Sequence, residues 1–187
     1  MRPSKRDELV RKALEIFYRE GFHATGMDLL AAETGISKTT MFKHFSSKEE
    51  LILAVLRLRD QEFRNWLFRR MEQAGDPRAQ LLAMFDALSE WFSRPEFRSC
   101  MFIKAASEYP DPRHPIHAQS AEHKRLLFLQ LQKIAADAGA YDPAALARAL
   151  LLLKEGAIVT AHLGHEADPA GDAKAAASII LAAALDN

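Results

Sequence analysis

Cys100 is the only cysteine in 187 residues, so the chain can form neither an intramolecular disulfide nor a cysteine zinc cluster, which agrees with a reducing compartment. The N-terminus lacks the apolar run of a signal peptide, and no uncharged apolar stretch is long enough to span a membrane. The most apolar segment, residues 175–185, is eleven residues of mostly alanine and belongs to a packed helix. A cytoplasmic protein is expected. Net charge is missing too, since 25 Lys and Arg balance 25 Asp and Glu. That balance alone argues against a nucleic-acid partner, but the charge is unevenly placed. Residues 1–70 hold 14 Lys and Arg against 10 Asp and Glu, whereas residues 71–187 hold 11 against 15. A basic first part on an acidic remainder suits a DNA-binding head, because phosphate contacts supply most of the affinity.

Patterned catalytic sites are lacking. No glycine-rich phosphate loop, G-x-S-x-G elbow or paired carboxylate site is present, and His and Ser are scattered, so neither an enzyme nor a cofactor is expected. Alternating β-branched runs, internal repeats and low-complexity linkers are also absent, which leaves an all-α chain. An apolar content of 49% is enough for a substantial core. Gly21, Gly35, Gly75-Asp76-Pro77, YPDPRHP, GAYDP and DPAGD punctuate the chain into about nine helices. They comprise residues 4–20, two short helices between 27 and 44, then 47–73, 77–93, 97–108, 116–138, 143–163 and a last helix ending at Leu185.

The segment TGMDLLAAETGISKTTMFKHFSSK, from Thr25 to Lys48, reads as two short helices joined by a glycine turn. Met27, Leu30, Ala31 and Thr34 recur at helical spacing and form a face for burial. Thr25 is the expected N-cap, paired with Asp28 in a variant capping box. Gly35 supplies the left-handed turn, Ile36 packs inward, and Ser37 caps the second helix, in which Met41 and Phe45 point to the core. Lys38, Thr39, Thr40, Lys43 and His44 face outward, and all can donate hydrogen bonds. Ser46 or Ser47 opens the next helix, with Glu49 and Glu50 in its first turn. This arrangement also fits a plain αα-hairpin with Lys38, Lys43 and Lys48 as a solvated face. The agreement of caps, turn, periodicity and outward cations favours a DNA-reading helix-turn-helix.

The order ALEIFYREGFHAT, then a small helix, GISKTTMFKHF and SSKEELILAV resembles the TetR/AcrR family of one-component bacterial transcriptional regulators, densely over residues 8–56. The resemblance implies that the second short helix enters the major groove and that the start of the following helix meets phosphate. Carried over by position, it places Thr25, Lys38, Thr39, Thr40, Lys43, His44 and Lys48 against DNA. Phe42 stands where the family usually has a tyrosine whose hydroxyl reaches a phosphate, a loss worth about 1 kcal/mol. Thr39 stands where glycine is common, and Leu29 where a polar residue is usual. The DNA-binding domain is expected over residues 1–46, and an effector-binding and dimerisation domain over 47–187.

A first helix carrying Leu9, Val10, Ala13, Leu14 and Phe17 completes the three-helix head. Arg2, Lys5 and Arg6 around its start are either a solvated tail or phosphate contacts. The helix over 47–73 spans roughly 40 Å, long enough to link head and body as one lever. AALARALLLLKEGAIVTAHL is apolar nearly all round, and AKAAASIILAAAL offers seven alanines for close helix approach. Such helices need partners on two sides, which points to a symmetric four-helix homodimer interface. Leu146, Leu150, Leu153, Ala157, Ile179 and Ala183 are its candidates. The resembled family dimerises in this way, and two heads would read a palindromic operator in successive major grooves about 34 to 36 Å apart.

Aromatic residues crowd the middle of the chain and are mostly core, yet they leave room for a small, partly apolar effector. Its pocket candidates are Phe63, Trp66, Phe85, Trp91, Phe102, His123, Glu155 and His162, with Lys154 as a further polar group. By resemblance, an effector would shift the fourth helix and release DNA, which makes a repressor the expected role. The alternatives are a redox sensor built on Cys100 near Arg98 and Lys104, a metal sensor built on the His114/His117 or His162/His165 pairs, or a helical interaction protein without DNA. Pro115 and Gly164 interrupt the histidine pairs, and no metal site is expected.

Overall fold

A computed structural model describes residues 4–164 and 167–185. Among the described residues the chain forms nine α-helices and no strand: α1 Lys5–Glu20, α2 Met27–Thr34, α3 Lys38–His44, α4 Lys48–Glu72, α5 Pro77–Phe92, α6 Met101–Glu108, α7 Pro115–Asp137, α8 Pro143–Leu163 and α9 Pro169–Leu185. Arg2 and His165, named above, lie outside the described residues.

Local chemistry sets these boundaries. The Ser4 side chain accepts from the Asp7 N–H at the start of α1, and Asp76 and Asp142 do the same for α5 and α8, each followed by proline at the first helical position. Gly35 and Gly164 end α2 and α8 in the left-handed conformation. Two expectations are corrected. Thr25 does not cap α2; Gly26 holds that place without a side-chain bond, because the helix begins one residue later and Thr25 turns back to donate to Gly21 O at 2.6 Å. The helix expected from Phe97 starts only at Met101, since Ser99 has φ 71° and cannot belong to a right-handed helix.

Packing sorts the chain into two units. The first takes Met1–Glu62 with Cys100–His123, and the second Phe63–Ser99 with Lys124–Asn187. This division falls inside α4 and α7 instead of at residue 46, so α6 and the start of α7 pack with the helix-turn-helix. In the first unit Leu9, Ala13 and Phe17 of α1, Leu30 of α2, Met41 of α3 and Ile52 and Leu56 of α4 are fully enclosed. Phe22 stacks on Phe17 with ring centroids 5.3 Å apart. In the second unit α9 packs on α8 and α5, burying Ala170, Ala173, Ala177 and Leu181, and the three alanines allow a close approach.

Candidate nucleic-acid interface

α3 has only seven residues, too few to persist alone, and is held from both ends and beneath. Gly35 makes the turn at φ 68°, and the Thr34 hydroxyl ties it by donating to Leu30 O (2.6 Å) and accepting from Ile36 N (3.2 Å). Ser37 Oγ accepts from Thr40 N at 3.2 Å and lies 3.0 Å from Thr40 Oγ1. Met41 is buried below, and Phe45 closes the far end. Lys38, Thr39, Phe42, Lys43 and His44 are consequently exposed, and Thr40 is half-buried. Lys38 pairs with Asp28 of α2, an exposed contact of little net energy that a phosphate can replace. The Phe42 ring is 50% exposed, so this surface mixes donors with one apolar plate.

Two residues expected against DNA are placed otherwise. Thr25 is completely buried, and its hydroxyl is bonded to Gly21 O, so its side chain cannot reach a phosphate. Lys48 is half-buried and donates to two carbonyls, Phe22 O at 3.0 Å and Thr25 O at 3.3 Å. It ties α4 to the loop before α2. Beside it the Ser47 hydroxyl caps α4 by accepting from Glu50 N at 3.2 Å. Glu50 in turn accepts from Ser46 N at 2.7 Å, a bond that holds its carboxyl below the ordinary range.

Residues 9–55, which hold this whole constellation, match the family model described as bacterial regulatory proteins of the tetR family. The transcriptional repressor KstR2 of Mycolicibacterium smegmatis is 30% identical over 146 residues, which cover 75% of this chain and 69% of that protein. The chain belongs to the TetR family. YjdC of Escherichia coli, an HTH-type transcriptional regulator, is 26% identical over 155 residues, covering 82% of this chain and 81% of that protein. The crystal structure of SCO4454, a TetR-family regulator from Streptomyces coelicolor, superposes with a TM-score of 0.89 at 30% identity, over 98% of this chain and 91% of that one. The protein is therefore a DNA-binding transcriptional regulator of the cytoplasm and not an enzyme. None of its described helices is long and apolar enough to cross a membrane.

The second unit of this TetR-family chain brings some of the effector candidates together. Phe63 lies 5.6 Å from Trp66 and 5.1 Å from Trp91, ring to ring, and the Lys154 ammonium stands 5.6 Å over Phe63. Lys154 is fully buried, and it and Lys124 donate to Glu155 at 2.9 and 2.7 Å. Burial would raise the Glu155 carboxyl, but Lys154 and Lys124 outweigh it and hold the group at about 2. Phe85 is buried, whereas His162 is exposed and 6.5 Å from the Phe97 ring. Phe102 and His123 belong to the first unit, where their rings stack at 3.6 Å and His123 Nδ1 lies 2.7 Å from Asp60 Oδ1. They form a packed, buried pair. A groove of about 310 Å³ between α1 and α4 and another of about 470 Å³ along α8 and α9 both take their walls from other residues.

The candidates for a paired face divide. Leu146 and Leu150 are buried in the unit's own core, Ala157 is buried but lines the groove along α8 and α9, and Leu153 is half-buried. Ile179 (73%) and Ala183 are exposed, and on α8 the outward apolar stripe is Leu152 (74%), Val159 and Leu163. The histidines of the first pair are locally engaged: His114 Nδ1 accepts from Ile116 N at 3.3 Å, and His117 Nδ1 lies 2.9 Å from Tyr109 O. Among the described residues no three His, Cys, Asp or Glu side chains are grouped to hold a metal ion. Cys100 is buried. Sequence reasoning missed Asp60, Lys124 and Glu108, whose partners are distant in the chain and leave no local pattern.

Proposed function

We propose that this regulator is a repressor that binds a palindromic operator as a homodimer and is released by a small, partly apolar effector. The exposed face of α3 carries the reading: Lys38, Thr39, Thr40, Lys43 and His44 offer donors to base edges and phosphates, and Phe42 offers apolar contact. The reading surface lies within residues 1–46, and the pairing and effector-binding helices lie within 47–187. Pairing is supported by the outward stripe of Leu152, Val159, Leu163 and Ile179, more apolar surface than one chain leaves in water without use. The Phe63, Trp66 and Trp91 cluster beside Lys154 and Glu155 supports an effector with an apolar body and a polar group. KstR2, named a repressor, supports the sign of regulation.

Selection of bound duplexes from a random DNA pool, with sedimentation of the resulting complex, tests this reading. The expected result is a palindrome with half-sites roughly one helical turn apart and a two-chain complex. A pool left unenriched by refolded, ligand-stripped protein would contradict the DNA reading, and a single half-site bound by one chain would contradict the dimer.

A further inference from the structure

Glu108 is the last residue of α6, where a carboxylate opposes the helix dipole and is separated by more than fifty residues from the helix-turn-helix. Within the first unit it nonetheless meets the loop that leads into α2. Its Oε1 accepts from Phe22 N at 3.0 Å and its Oε2 from His23 N at 2.5 Å. Gly21, with φ 91°, makes room for it, because a Cβ there would stand 3.0 Å from Oε1. The carbonyls of the same loop are taken from the other side, since Lys48 of α4 donates to Phe22 O and Thr25 O. Thr25 Oγ1 closes the loop on Gly21 O, and the His23 ring rests 4.8 Å from Tyr109. The segment that sets the entry of α2 is thus held through its N–H groups by α6 and through its C=O groups by α4.

We propose that Glu108 is a positioning residue for DNA reading: by holding the Phe22 and His23 amides it fixes α2 and α3, so that operator affinity depends on an α6 side chain that does not touch DNA. The inference rests on α3 being the reading helix. It opposes simple electrostatics, in which removing a carboxylate from a DNA-binding protein strengthens binding to phosphate. Of the two charge-assisted bonds, the one to His23 N lies at the exposed side of the loop, where water could serve the amide in its place.

The test uses the full-length protein and its selected operator, with Glu108→Ala, Glu108→Gln, Lys48→Ala, the Glu108→Ala/Lys48→Ala pair and Lys43→Ala as a reference. Glu108→Ala is expected to weaken operator binding on the order of tenfold. The salt slope should stay unchanged, and exchange of the Phe22 and His23 amides should speed up in the unbound protein only. Glu108→Gln, which keeps one acceptor oxygen, should fall between parent and alanine. The double variant should lose less than the sum of the single losses, because both side chains hold one loop. Glu108→Ala binding as well as or better than the parent, while Lys43→Ala binds worse, would overturn the inference and leave the α3 reading intact. If Lys43→Ala also binds normally, the α3 reading itself fails. Affinity lost only in proportion to thermal unfolding, and recovered on cooling, would likewise overturn it by making Glu108 merely structural.

Discussion

α3 presents hydroxyls, two ammoniums, an imidazole and the Phe42 ring to solvent, whereas α8 and α9 present Leu152, Val159, Leu163 and Ile179. The polar surface is short and fixed by caps and a glycine turn at defined positions, so each side chain has a set direction. The apolar surface belongs to longer helices that bury one side and leave large apolar side chains on the other. Direction matters for reading base edges, while area and shape matter for pairing two chains. On the proposed reading, sequence specificity sits on seven residues and association on two long helices.

The largest effect should come from the apolar face. Leu152→Glu with Ile179→Glu would place carboxylates in a dry interface, twice by symmetry, at a cost of several kcal/mol. Sedimentation should then show a monomer, and palindrome binding should be lost; an intact dimer would move the pairing surface elsewhere. Glu155→Gln comes next, because it takes the carboxylate from the fully buried Lys154, and about 3 kcal/mol of stability at pH 7 should be lost. The Glu155 carboxyl is lowered to about 2, so its contribution is full above the ordinary carboxyl range and disappears as pH falls toward 2. Denaturant titrations of parent and variant should converge over that interval, and a constant difference would assign the loss to packing. On the polar face, Lys43→Ala should cost roughly tenfold on the parent operator and relax the preference at one base position. The smallest effect is expected from Phe42→Tyr, whose added hydroxyl should gain up to about 1 kcal/mol of affinity alike on all sequences. A gain confined to one sequence would place residue 42 on a base instead of a phosphate.

The same contrast governs what was legible beforehand. Gly35, Ser37, Met41 and Phe45 are each diagnostic of one local geometry, so α3 and its outward face could be read from residue order. Leu146 and Leu150 turn inward, which residue order does not reveal because a helix apolar all round has no readable phase. The contacts of Thr25 and Lys48 are hidden from residue order for another reason. Their partners, Gly21 O for one and Phe22 O and Thr25 O for the other, are backbone groups whose availability depends on the loop path. His123 meets Asp60 across more than sixty residues and stacks on Phe102, contacts that no local spacing signals.

The central claim is that the outward face of α3, carried twice, reads the operator. Duplex selection run in parallel with the parent and with Lys43→Ala tests it most directly. The account predicts palindromes of equal half-site spacing from both, with the base preference changed at the same position in each half-site. Recovery of one identical sequence at equal affinity would contradict it.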